Sequence, residues 1–311
     1  MGTPADGAPL ARRVAERYGA RQHTCTIGEQ DFRRDLPAII AAMDQPSIDG
    51  INTWFVSKAA HEAGLKVAVS GLGGDELFGG YPSFRHVPRL AAWLAPWRHA
   101  RGAASWSRRL AEPLIRRTPF SPKLAGLLEY GGSFAGAYLL RRGLFMPWEL
   151  ARVLPDDEAA EGLERLAPLS LIGAALRPTP AAPFARVATL EASLYMRNQL
   201  LRDTDWASMA HSLEVRTPLV DAELLRRLAP IICGRRSVSG KQLLGRSPSP
   251  ALPREVLQRP KSGFGVPLAS WLERAQAAGG PLDEWRRNRS LSHPRCHWAR
   301  RLAYSLLASW S

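Results

Sequence analysis

The sixteen residues Lys66–Tyr81, K-V-A-V-S-G-L-G-G-D-E-L-F-G-G-Y, constrain this chain more than any other stretch. A short apolar run with two valines follows Gly64 and ends at Ser70, the pattern of a buried parallel strand. Gly71, Gly73 and Gly74 interrupt it and predict a backbone that turns through positive φ and lies close against a ligand, because no Cβ intervenes. Asp75 and Glu76 follow directly. A glycine turn at the carboxyl end of a parallel strand is where open α/β sheets take ligands. Amides in such a turn suit phosphate, and a carboxylate there makes sense chiefly through Mg²⁺, which takes one or two carboxylates together with phosphate oxygens. The competing reading is architectural: a tight strand-to-helix turn in which Asp75 caps a helix Glu76–Phe78.

The flanking sequence predicts what surrounds that turn. Pro9–Tyr18 has Leu10, Val14 and Tyr18 on one helical face and Gly19 as a stop. His23–Ile27 reads as a short strand. Asp31–Met43 carries an apolar stripe of Phe32, Leu36, Ile39, Ile40 and Met43, and Asn52–Ala63 forms a further helical pattern ended by Gly64. Helix, strand, helices and strand in that order indicate a parallel sheet with crossover helices. A chain that begins with a helix lacks the strand expected to precede it.

Leu90–Arg117 mixes arginines with Trp93, Trp97 and Trp106, a combination that can stack on bases and neutralise phosphates. An amphipathic helical hairpin with its tryptophans inward, punctuated by Pro96 and Pro113, explains the same residues, and that is the expectation adopted. Gly131–Gly143 and Trp148–Leu166 predict helices, Leu176–Pro183 a proline-rich turn, and Phe184 onward more helix. Asp203 and Asp205 are expected to cap a helix starting near Asp205, with a cation as the alternative. His293 and His297 stand four apart beside Cys296, and an ordinary helix start is preferred to a metal face there. The amphipathic tail Trp298–Trp310 is expected to pack on the body of the protein.

Three blocks resemble the asparagine synthase family, the synthetase half of glutamine-hydrolysing asparagine synthetase: Lys66–Tyr81 itself, S-M-A-H-S-L-E-V-R-T-P-L-V-D at Ser208–Asp221, and R-P-K-S-G-F-G-V-P-L at Arg259–Leu268. The resemblance covers nearly the whole chain. It implies an α/β fold with a parallel-sheet, ATP-pyrophosphatase-like (adenine nucleotide alpha hydrolase-like) core lacking its first strand or strands, followed by a mainly helical portion. The partial nucleotide-binding portion is placed at residues 1–120, and the helical portion of the synthetase domain at 121–311. Family members activate a carboxylate at the α-phosphate of ATP, release pyrophosphate and open the acyl-adenylate with ammonia. By position, Ser70, Gly71, Gly73 and Gly74 correspond to nucleotide contacts, Asp75 to a Mg²⁺ ligand with a catalytic role, and Lys261 to the lysine that stabilises the transition state and pyrophosphate. Glu214, Arg216 and Asp221 are expected to hold the cleft walls by ion pairing, and Lys241 is a second phosphate candidate.

The chain departs from the family pattern in three places. It has no S-G-G-x-D-S loop, no glutaminase domain (Gly2 rather than cysteine follows Met1), and Leu72 where relatives carry an acid. Leucine neither accepts a proton nor repels charge, so residue 72 has no acid/base role and the acceptor need not be aspartate. The implied cofactors are ATP and Mg²⁺. The implied partners are a carboxylate acceptor, aspartate or another, and a glutaminase or the missing N-terminal fragment in trans; homodimerisation is left open. A catalytically inactive remnant of a split synthase is the alternative function.

Charge and cysteine content narrow this further. The net charge of +14 suggests an anionic partner, but five of the 42 basic residues are lysine, so arginine richness reads as genome composition and nucleic-acid binding is set aside. Cys25, Cys233 and Cys296 are far apart and odd in number, which predicts neither a disulfide framework nor a zinc site. No signal pattern or membrane-length apolar run is present, and the cytoplasm is the expected compartment.

Overall fold

The computed structural model describes residues 7–234, 240–258, 268–277, 282–293 and 295–310. They form a mixed α/β protein, mostly helical, with one small parallel sheet. The sheet pairs β1 (Val67–Val69) with β2 (Glu214–Arg216), Ala68 opposite Val215. The chain divides into two compact units, one of residues 1–80 and 199–271, the other of 81–198 and 272–311.

In the first unit, helix Ala8–Tyr18 ends where Gly19 adopts φ +64°, as its sequence predicts. Helix Glu29–Ala42 buries Phe32, Leu36 and Ile39, and Phe32 meets Trp271 with ring centroids 5.7 Å apart. Helix Ile51–Glu62 packs on helix Leu201–Met209. Trp54 there lies 6.4 Å from Trp206 and edge-on to His211 at 4.3 Å. A Cβ on Gly50 would overlap the Trp206 indole, so glycine at the head of helix Ile51–Glu62 is what lets these elements close.

Two strand expectations change. His23–Ile27 forms no ladder and is mostly exposed, since a strand needs a partner for its N–H and C=O groups and none of the described residues supplies one. β1 is parallel as expected, yet Val67 and Val69 are 41% and 74% exposed rather than buried, because its described sheet has two strands and no described helix covers those faces.

Asp203 and Asp205 do not cap. Helix Leu201–Met209 begins upstream of both; Asp203 is buried and accepts hydrogen bonds from Ser47 Oγ at 2.8 Å and Trp206 Nε1 at 3.0 Å. Burial pushes its carboxyl up to about 6, with Asp49 and Asp44 adding to the shift, against the two hydrogen bonds that favour the anion. The folded state therefore holds this proton more tightly than the unfolded one. Stability from this group is full below about pH 4 and is lost as pH rises through about 6. Asp203→Asn is expected to flatten the pH dependence of Tm across that window, and a Tm series at half-unit steps checks it.

The second unit has its core around Val87, Ala137, Tyr138, Val187 and Leu190. Glu191 lies fully buried against it, accepting hydrogen bonds from Tyr138 Oη at 3.2 Å, Arg142 Nε at 3.0 Å and Ser83 Oγ. Arg142 is in turn stacked on Tyr195 at 3.7 Å and Tyr81 at 4.6 Å. The tail helix Trp298–Trp310 packs as expected, with Leu302 and Leu306 buried and Arg301 over the Trp285 ring.

The tryptophans of the arginine-rich segment point the other way from expectation. Trp93, Trp97 and Trp106 are 83%, 42% and 65% exposed. Helix Arg101–Arg117 turns Ala104 and Glu112 inward and leaves Trp106, Leu110 and Leu114 outside, one turn apart. Pro113 lies inside that helix rather than ending it. Its inner face is the one held by ion pairs, Arg108 to Glu129 at 2.5 Å and Arg152 to Glu112, which sets the helix rotation against its apolar stripe. No described helix is long and apolar enough to cross a membrane.

Candidate functional site

The glycine turn emerges at the carboxyl end of β1. Ladder bonds flank it: Glu214 N–H donates to Lys66 O at 2.9 Å and Ser70 N–H to Arg216 O at 2.8 Å. The chain then closes on itself, with Leu72 N–H donating to Ser70 Oγ at 3.2 Å and Gly74 N–H to Gly71 O at 3.3 Å. Helix Gly74–Phe78 follows at once.

The glycines do different things. Gly73 alone of the three carries positive φ, +93°, and a Cβ on it would come within 2.9 Å of Leu219 O and Val220 Cγ2. Gly74 faces the Leu219 side chain at 3.2 Å. Gly71 is exposed, has ordinary φ, and has nothing within 4 Å of where a Cβ would stand. The expectation of positive φ throughout is thus corrected to one residue, while the close approach at Gly73 is to the chain's own backbone. The open side of the turn is at Gly71.

Asp75 is half-buried in the second position of the short helix. Gly73 is the residue before that helix, with no side-chain cap, so the capping reading of Asp75 is not what the chain does. A Cβ on Gly80 would overlap the Asp75 carboxylate, which fixes the side chain over that glycine. Glu76 is buried at 4% exposure beside Leu77, and Leu72 is half-buried.

The second block supports the first from behind. Its residues Glu214–Arg216 are β2, and Leu219 and Val220 are the wall against which Gly73 packs. Glu214 and Arg216 do pair, with each other, at 2.7 Å on an exposed surface. Asp221 caps helix Ala222–Gly234 by accepting from Leu224 N–H at 2.7 Å. Gly240 lies where a Cβ would overlap Phe78 O, so helix Gly240–Arg246 rests directly on the end of helix Gly74–Phe78. The roles of Leu219, Val220 and Gly240 were not legible in the sequence, because each arises from contact with a segment far away along the chain. Lys261 and most of its block lie outside the described residues, as does the side chain of Lys241.

Among the described residues no group of three or more His, Cys, Asp and Glu side chains can hold a metal ion, and His293, His297 and Cys296 are no exception. His297 Nδ1 instead accepts from Ala299 N–H at 3.3 Å at the start of the tail helix. One carboxylate at an open turn suits a Mg²⁺ held chiefly by phosphate and water, and does not suit a protein-built cage. An exposed glycine beside it leaves room for the phosphates themselves.

The profile of the asparagine synthase family matches residues 2–293. A putative glutamine-hydrolysing asparagine synthetase of Mycobacterium tuberculosis is 30% identical over 286 residues, covering 89% of this chain and 40% of that protein. Asparagine synthetase 1 of Bacillus subtilis is 25% identical over 292 residues, covering 90% and 42%. Amidase chry2 of Gibberella zeae is 24% identical over 307 residues, covering 90% and 43%. The chain spans about two fifths of the length of these curated relatives. No solved structure matches significantly.

Proposed function

This chain belongs to the asparagine synthase family, and from that premise we infer that it is the amide-forming portion of an ATP-dependent ligase. It adenylates a carboxylate, releases pyrophosphate and passes the acyl group to ammonia. The observation that carries the reading is the open turn at Gly71, which follows β1 and has the Asp75 carboxylate held over Gly80. We read the β1–β2 pair as part of an ATP-pyrophosphatase-like sheet, since a nucleotide in such a fold sits at the carboxyl ends of parallel strands.

Attack of a carboxylate on a phosphate brings two anions together, so the reaction depends on cancelling charge at the α-phosphate and on the leaving pyrophosphate. Bound Mg²⁺ supplies that cancellation. Asp75 is the carboxylate that would hold it, and Ser70 and Gly71 would meet the nucleotide. Gly73 and Gly74 keep the turn pressed on Leu219 so that Asp75 stays in register with Gly71. Lys261, by its family position, would face the departing pyrophosphate. Leu72 places an apolar surface where an acid would otherwise act, which favours an acceptor that needs no proton exchange at that point, aspartate or another carboxylate.

The test is pyrophosphate release with ATP, Mg²⁺, ammonia and a panel of carboxylates including aspartate. The chain is supplied alone and together with the part of a relative's length that it does not cover. Asp75→Asn is expected to lower the rate by about a hundredfold or more, the scale seen when one charge-stabilising group is removed. Equal rates for the wild type and this variant would remove Asp75 from the reaction. If release is absent throughout while ATP and Mg²⁺ still bind, the non-catalytic alternative stands instead.

A further inference from the structure

A cavity is built wholly from the second unit and uses none of the residues of the glycine turn. It is an open hollow of about 880 Å³ between the end of helix Arg101–Arg117, the segment that follows it, residues 142–153 and the turn before the tail helix. Its volume is within the usual range of about 300–1,000 Å³ for small-molecule sites.

The wall chemistry is unbalanced. Six cationic side chains line the cavity: Arg117, Lys123, Arg142, Arg152, Arg295 and Arg300. Three are matched by carboxylates: Arg300 by Glu149 in a two-pronged contact at 2.8 and 2.9 Å, Arg142 by Glu191 at 2.8 Å, and Arg152 by Glu112. The other three form no ion pair with a carboxylate among the described residues, although Glu149 lies near enough to Lys123 to favour its charge. Arg295 donates to the carbonyl oxygens of Thr118 at 3.0 Å and Arg117 at 3.4 Å, which fixes its guanidinium but leaves its charge unopposed. Phe120, Phe145 and Leu291 supply apolar surface in the same hollow.

Arg117 and Arg295 are exposed and Lys123 is half-buried, so three cations converge on the mouth of one hollow, and such a focus of positive potential attracts a ligand anion. Three unopposed cations call for more than a single carboxylate. A phosphate monoester carries about one and a half to two negative charges near neutral pH and so offsets more of this charge than a carboxylate does, and the aromatic wall calls for an apolar body attached to it.

We propose that this cavity is a binding site for a small organic phosphate with a ring-sized apolar body, held by Lys123, Arg117 and Arg295. Two further properties agree. Lys123 is pushed down to about 8, by burial first and then by Arg300, with Glu149 offsetting part of the shift, so a further anion beside it would favour its ammonium. The His297 imidazole is likewise lowered by burial, Arg300 and Lys123.

The probe is phenyl phosphate, titrated calorimetrically into the full chain, with inorganic phosphate and benzoate as comparison ligands. Phenyl phosphate is expected to bind with Kd below about 1 mM, tighter than either comparison by about tenfold. Binding should raise the pKa of His297, read from its imidazole NMR shifts, because the anion offsets Lys123 and Arg300. Lys123→Met keeps the apolar stem and removes the charge. It is expected to raise Tm in the absence of ligand while weakening phenyl phosphate at least tenfold. A structural lysine would give the opposite sign in Tm and leave binding untouched. No detectable binding at about 10 mM, or equal affinity in wild type and Lys123→Met, overturns the site. Benzoate binding as tightly overturns the phosphate assignment, and inorganic phosphate binding as tightly overturns the apolar body.

Discussion

Glu191→Ala is expected to destabilise the second unit by about 3–5 kcal/mol, the range for removing one partner of a buried ion pair. Glu191 is fully buried and accepts from three side chains at once, Ser83, Tyr138 and Arg142. Alanine would leave the guanidinium of Arg142 between two tyrosine rings with no counter-charge, and two hydroxyls without their acceptor. For a unit of this size the change corresponds to a fall in Tm of roughly 6–20 °C. Because the pair is out of water, added salt should alter the difference little. The companion variant Glu191→Leu with Arg142→Met removes both charges and is expected to recover most of the loss. Denaturant unfolding of the three proteins checks this; a single-variant effect under about 1 kcal/mol would show that the network does not hold the unit together.

Gly73→Val is expected to be the most damaging change within the turn, at about 3 kcal/mol or more. A β-branched residue at φ +93° is strained on its own account, and its Cβ would press on Leu219 O, a backbone atom with little freedom to yield. Gly71→Ala makes the informative contrast, since an added methyl meets nothing and the backbone there is ordinary. Its stability should stay within about 0.5 kcal/mol of wild type. If Gly71 is the open side used by a nucleotide, the same methyl should nevertheless weaken ATP binding by about tenfold, measured by titration with Mg²⁺ present. Unchanged affinity in Gly71→Ala would move the nucleotide off this turn.

Helices with clear periodicity and stop signals were legible from their residues alone. Pro9–Tyr18 with Gly19, and the stripe of Phe32, Leu36 and Ile39, use local rules that need no knowledge of neighbours. The parallel direction of β1 was equally legible, because a valine-rich run between helices allows little else. What failed depended on partners far away in sequence. His23–Ile27 has strand composition but no strand beside it among the described residues. Trp106, Leu110 and Leu114 form an apolar stripe that would ordinarily face inward, yet Arg108 and Glu112 on the same helix draw its opposite face to Glu129 and Arg152. Asp203 looked like a cap and is a buried acid, a state set by Ser47 and Trp206. In the turn, residue type and order marked the stretch Ser70–Asp75 as a strand-to-helix bend, whereas the division of labour between Gly71 and Gly73 was visible only once Leu219 was in place.

The pairing of Val67 with Glu214 joins positions about 150 residues apart, and the first unit is assembled from two pieces with residues 81–198 between them. During synthesis the first piece must therefore wait for the second. At roughly 5–20 residues per second the delay is about 6–24 s, long compared with the time a helix needs to form. Over that interval Phe32 and Trp54, whose partners Trp271 and Trp206 lie in the second piece, remain uncovered on the ribosome, so yield in the cell should depend on how well nascent-chain chaperones occupy residues 1–80.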